Sequence, residues 1–257
     1  MRRIGLTLAA LVSASAMAAC SSSSSGGGTP AGSNQPSTSS TAASGSFDKT
    51  AAQATAQAAL LTAADFPAGW TASPSQESKA DDATINQGLA SCFGVPASIF
   101  ASSGPEKVEA SSDYSSPNNG ATGQVSEHVD VETSDEITKE FAVVNSSKLA
   151  SCMETVYQPF LKQKFAQDPQ TKDAKIGTVT AVRANLPSYG DQSAGVEITV
   201  PITIGAASVK AVIDLIFVRV GNLSAQLSFE STGQAFDTAT AASITSKATA
   251  KLSAAAS

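Results

Sequence analysis

Three side chains that acid–base and nucleophilic chemistry commonly combine, Ser126, His128 and Asp130, recur at every second position of one alternating run, 124–132. In extended chain such residues share one face, while Val125, Val129 and Val131 take the other. A nucleophile, its base and an orienting carboxylate must lie within hydrogen-bond reach of one another. Neighbours at i and i+2 of a strand are about 6.5–7 Å apart at Cα, which permits contact but aims it poorly. The nearest approach to a G-x-S-x-G nucleophile elbow is Asp191-Gln192-Ser193-Ala194-Gly195, with Asp191 where the turn needs glycine. The trio therefore reads as the solvated polar face of a sheet. No catalytic residue is assigned, and the chain is not expected to be an enzyme.

The residue whose chemistry is better supported is Cys20. Arg2 and Arg3 precede an apolar run, 4–12, and small residues then lead to Met17-Ala18-Ala19-Cys20. A positive start, a short apolar core and a small-residue cleavage site make a secretory signal peptide, 1–19. The run is too short to span a bilayer, which takes about 20 apolar residues, and no later segment is long and apolar enough. Met17-Ala18-Ala19-Cys20 resembles the bacterial lipobox, whose cysteine receives a diacylglyceryl group; the usual leucine is replaced by Met17. The resemblance implies lipidation at Cys20, and two acyl chains hold a protein to a membrane where one does so only marginally. Ala16-Met17-Ala18 also satisfies an A-x-A rule, which would release a soluble protein and leave Cys20 as a spare thiol.

Residues 21–46 are drawn only from Ser, Gly, Thr, Pro, Ala, Asn and Gln. Such a stretch buries too little apolar surface to offset its conformational entropy, so 20–46 is read as a lipidated cysteine with a disordered tether. As a flexible coil it spans roughly 25–30 Å. Residues 47–257 then form one domain. Without the leader the chain carries 14 basic against 22 acidic residues, a net charge of −8. That balance argues against nucleic acid as a partner. The expected partners are the membrane, through the lipid anchor, and an unknown small-molecule, lipid or protein ligand. The location is the extracytoplasmic face of the cell membrane.

The elements that position these groups follow from periodicity. Helices are predicted over 51–61 and 81–92, the second with Ile85, Leu89 and Cys92 on one stripe. Strands follow over 108–114 and 124–132, joined by a turn at 115–120. Thr133-Ser134-Asp135-Glu136 is a capping box for a helix burying Ile137, Phe141 and Val144. The next helix carries Leu149, Cys152, Met153 and Val156 and is kinked or restarted by Pro159. Further strands cover 178–186, 196–204 with Pro201 marking an edge or bulge, 209–220, and 223–230 after a Gly221-Asn222 hairpin turn. A last helix runs from 234 to about 252. Trp70 is assigned to core packing. The fold class is α+β: a five- or six-stranded antiparallel sheet with helices packed on its apolar face.

With Cys20 acylated, Cys92 and Cys152 remain, each on an apolar helix face in an oxidising compartment, and a disulfide between them is predicted. One histidine and two paired cysteines do not supply the usual zinc or copper ligands. No EF-hand loop, P-loop or dinucleotide fingerprint occurs. Neither metal nor cofactor is expected.

The lipobox, the Ser/Gly tether, Leu60-Leu61 with Asp65-Phe66-Pro67-Ala68-Gly69-Trp70, and the Cys92-Phe93-Gly94 helix end together resemble actinobacterial cell-envelope lipoproteins. Phe217-Val218-Arg219-Val220-Gly221-Asn222-Leu223, followed by an Ala-rich helix, completes the pattern. It is similar to the extracellular sensor domain of PknH-type mycobacterial receptor kinases. The resemblance implies an α/β sandwich with a cleft, brings over no active-site residue, and points to a lipid-anchored extracytoplasmic binding or sensor-like module. A lipid or glycolipid carrier with an apolar cavity is the second expectation.

Overall fold

A computed structural model describes residues 47–73, 79–116, 123–169 and 171–257. The leader, Cys20 and the tether lie outside the described residues, as do Pro74 and most of the 115–120 turn.

The class is α+β, as the periodicity predicts, but among the described residues the sheet has eight strands rather than five or six. They are β1 (Thr71–Ser73), β2 (Lys107–Ser116), β3 (Gly123–Glu132), β4 (Lys175–Ile176), β5 (Thr180–Arg183), β6 (Gln192–Ile204), β7 (Ala207–Val220) and β8 (Leu223–Thr232). The order is β1-β2-β3-β8-β7-β6-β4, with β5 also beside β6, and every pairing is antiparallel. β1 is the short extended segment expected between Trp70 and Pro74, whereas β4, of two residues, is too short to carry a period-2 signal and the sequence does not disclose it.

The α-helices among the described residues are α1 (Lys49–Ala59), α2 (Lys79–Phe93), α3 (Ser134–Val144), α4 (Leu149–Gln167) and α5 (Thr238–Ala255). They cover both faces of the sheet, not one. α1 and α5 bury Ala56, Ile244, Ala248 and Leu252 against Val125, Val129, Leu223, Leu227 and Phe229. Phe66 stacks on Tyr114 at 4.1 Å, and Trp70 lies 6.0 Å from Phe236, so Trp70 is a packing residue of this core. On the other face α4 buries Cys152, Met153, Val156 and Phe165 against Val196, Ile198, Val200 and Ile213. β7 is thus apolar on both faces, giving Ile216 and Val218 to one core and Ile213, Leu215 and Phe217 to the other, whereas β6 buries one face and carries Glu197, Thr199 and Pro201 on the other.

Three local expectations change on inspection. Pro159 sits inside α4 without ending it; burial of Val156, Leu161 and Phe165 on both sides of the proline outweighs the lost backbone bond. Thr133 does not close a capping box: its hydroxyl donates to Glu106 Oε2 at 3.2 Å instead of capping α3. Pro201 marks neither an outer edge nor a bulge. It pairs with Lys210 on β7, while its other side falls between the stretches of β6 that bond β5 and β4. Its missing N–H therefore costs no ladder bond, and its carbonyl accepts from Gly177 N at 2.8 Å.

Gly221 and Asn222 form the two-residue turn between β7 and β8, with Gly221 at φ 61°. α5 starts where Asp237 accepts from the Thr240 amide at 2.8 Å. The free side of β5 and its approach is satisfied by α4. Ala181 N donates to Glu154 Oε1 at 2.8 Å and Val179 N to Gln158 Oε1 at 2.7 Å, which blunts a sheet edge.

Glu127 is the polar exception in the α1/α5 core. Fully buried, it accepts the Leu61 amide on Oε2 at 2.7 Å, while Tyr114 donates to the Leu61 carbonyl. Oε1 has no hydrogen-bond partner among the described residues. Burial pushes its carboxyl from 4.5 up to about 7, against the opposing Leu61 bond. The folded state then holds the proton more tightly than the unfolded chain, so stability present at acid pH is lost as pH rises through this interval. Glu127→Gln keeps an acceptor for Leu61 and removes the titration. Urea unfolding should fall less steeply between pH 5 and pH 8 than in the wild type, by about 2–3 kcal/mol. An unchanged difference would place the titration elsewhere.

Candidate ligand-binding cleft

The alternation in β2, β3 and β8 fixes which side chains share the α2–α4 side of the sheet. Register sets Asp130 beside Glu109 and Ser224, His128 beside Ser111 and Gln226, and Ser126 beside Asp113 and Ser228. The three polar rows become one polar field because β8, the strand most distant in sequence, pairs with β3. α4 covers the apolar half of this face, over β5–β7, and stops short of the polar half. The gap is a cleft with a cavity volume of about 320 Å³. Its floor is the polar field, including Ser126, His128, Asp130, Gln226, Ser228 and Glu230. Its wall is apolar, with Leu89 from α2, Phe100 from the single turn after α2, and Met153, Phe160 and Phe165 from α4.

Ser126, His128 and Asp130 therefore come together on the cleft floor, as their spacing predicts. Their surroundings differ from the solvated face expected. His128 and Asp130 are each 8% exposed, because α2, α3 and α4 roof a strip that the sequence alone presents as surface. His128 Nδ1 lies 3.4 Å from Glu109 Oε1. Asp130 Oδ2 is held by the Lys107 ammonium at 3.1 Å, so its carboxylate is oriented by an ion pair.

Lys107 organises this end of the cleft. Its Nζ lies 2.9 Å from Glu132 Oε1 and 3.0 Å from Glu140 Oε2 as well, linking β2, β3 and α3. Burial alone would lower the lysine's affinity for its proton; three carboxylates outweigh it and hold the pKa well above the ordinary value. Burial drives Asp130 above the usual carboxylate range against the pull of Lys107. Burial and the neighbouring Glu140 drive Glu132 up further. One cation thus serves three acids. Asp130, Glu132 and Glu140 are close enough to suit a metal ion, but the ammonium already fills the space between them.

Cys92 and Cys152 stand at disulfide distance, with Cα atoms 5.6 Å apart. The bridge joins α2 to α4 and fixes the two helices that form the apolar wall. Gly88 packs so closely on Val156 that a Cβ there would meet Cγ1 at 3.0 Å. Lys107, Glu109, Glu140 and Glu230 were not singled out by sequence reasoning. The parity of Lys107 and Glu109 carried a signal, since both share a face with Glu132 and Asp130 once β2 and β3 pair as a hairpin.

No family model, curated protein or solved structure matches the chain. Among the described residues no helix is long and apolar enough to cross a membrane.

Proposed function

We propose that the domain is a binding module, sensor-like in the manner of the PknH-type extracellular domains it resembles, with the cleft on β2, β3 and β8 as its ligand site. In this reading Cys20 carries the lipid anchor, residues 20–46 are the tether, and the domain works on the extracytoplasmic face of the cell membrane. One observation carries the reading: a buried polar field roofed by an apolar wall, enclosing about 320 Å³. Ligand sites are concave, mostly apolar and furnished with a few polar groups that fix orientation. The volume lies at the lower end of the usual range of roughly 300–1,000 Å³, which favours a small amphiphile. The lipid or glycolipid carrier is the second reading, supported by the apolar wall from α2 and α4. No reaction is assigned to the cleft.

Native mass spectrometry of protein purified from its own host tests this. The wild type should retain a small molecule, and Ser228→Trp, which fills the cleft from its floor, should not. A wild type as bare as the variant, apart from the acyl group at Cys20, would contradict the reading.

A further inference from the structure

We propose that the cleft selects an amphiphile bearing a protonated amine, with its apolar part on the α2–α4 wall and its ammonium at Glu230. The inference rests on the cleft being a binding site and adds the class of ligand. The floor is electrostatically uneven along its length. At one end Lys107 answers Asp130, Glu132 and Glu140. At the other, Glu230 lines the cavity between Gln124 on β3 and Ile213 on β7. Its side-chain hydrogen-bond partner is Ser228, and the charge acting on it is that of Asp113, of its own sign. Among the described residues no lysine, arginine or histidine forms an ion pair with it.

The lining as a whole is acidic, with Glu109, Asp130, Glu140 and Glu230 against Lys107 and Lys164. Burial, and then Asp113, push the Glu230 carboxyl up to about 7. Glu230 is half-buried, and a carboxylate partly withdrawn from water without a counter-ion responds in this way. A carboxylate or phosphate headgroup would meet repulsion here, and a neutral one would leave the charge uncompensated. A protonated amine supplies the opposite charge and up to three donors, and charge-assisted hydrogen bonds are about twice as strong as neutral ones. The wall formed by Leu89, Met153 and Phe165 gives the apolar part its contact.

Calorimetric titration of the full chain at pH 8 with octylamine, octanol and octanoate tests the preference. Octylamine should bind at least 10-fold more tightly than either of the others. Nα-acetyl-lysine amide, which carries the amine without the long tail, should bind at least 10-fold more weakly than octylamine. Glu230→Gln should remove the amine preference and, because it takes away a carboxylate whose ionisation burial disfavours, should raise thermal stability at pH 8 rather than lower it; Glu197→Gln, outside the cleft, should leave the amine preference as it is. Equal binding of octanol or octanoate would overturn the amine inference and leave the cleft as a site. So would a preference that survives in Glu230→Gln, or lysine amide binding as tightly as octylamine. Failure of every probe, in a protein that also carries nothing from its host, would remove both readings.

Discussion

Replacing Lys107 by methionine will destabilise the domain by about 3–5 kcal/mol at pH 8, the usual cost of stripping one partner from a buried ionic group. Methionine preserves most of the aliphatic stem, so lost packing is a minor part of this figure. What remains in the variant is Asp130, Glu132 and Glu140 around an empty centre, all within reach of one another. The destabilisation is pH-dependent with a definite sign. Without the ammonium, the three acids bind protons more tightly when folded than when unfolded, so the variant loses stability as pH rises. The gap between variant and wild type should therefore narrow on going from pH 8 to pH 5. Adding Asp130→Asn and Glu132→Gln to Lys107→Met should recover a large part of the loss, since only Glu140 of the three acids around the lysine is then left. Urea denaturation across this set measures both effects, and strict additivity of the substitutions would show that the four groups do not act as a unit.

The second large effect belongs to the bridge between α2 and α4. Cys92 and Cys152 are 60 residues apart, and closing a loop of that length stabilises by about 4 kcal/mol in the chain-entropy model. For a domain of this size the corresponding fall in melting midpoint is about 10 °C. Reduction, or the Cys92→Ser/Cys152→Ser pair, should produce it. A midpoint unchanged by reduction would mean that the bridge contributes nothing. Because both helices form the apolar wall, the reduced protein should also bind amphiphiles more weakly at temperatures where it is still folded.

Much of this architecture is legible in the residues alone, and the exceptions have physical causes. The alternation of Leu223, Ala225, Leu227 and Phe229 with Ser224, Gln226, Ser228 and Glu230 announces a strand with one polar face. The Gly221-Asn222 turn pins it to β7. Nothing local announces that β3 lies on its other side, and that pairing is what makes a site. Ser126, His128 and Asp130 form an ordinary polar stripe on an isolated hairpin. Flanked by Ser224, Gln226 and Ser228 and roofed by α2 and α4, they become the floor of a cleft. Lys107 illustrates the same point, since its three carboxylates come from two elements and two of them only from β3. Thr133 shows the reverse failure: its local capping signal is outcompeted by Glu106, a partner that becomes available only when the chain turns into β2. At Pro159 burial on both flanks overrides the local rule that a proline restarts a helix, and α4 runs through it.

Among the three methionines of the chain, Met153 alone belongs to the described residues; it is buried and lines the cleft. Methyl-labelled methionine therefore gives a reporter set within the proposed site. Titration with octylamine, or with octanol, followed by carbon-13 methyl NMR should move the Met153 signal in a saturable way. The same titration of Ser228→Trp should leave Met153 unmoved. A Met153 resonance that stays fixed at saturating concentrations of both amphiphiles would contradict the assignment of this cleft as the binding site.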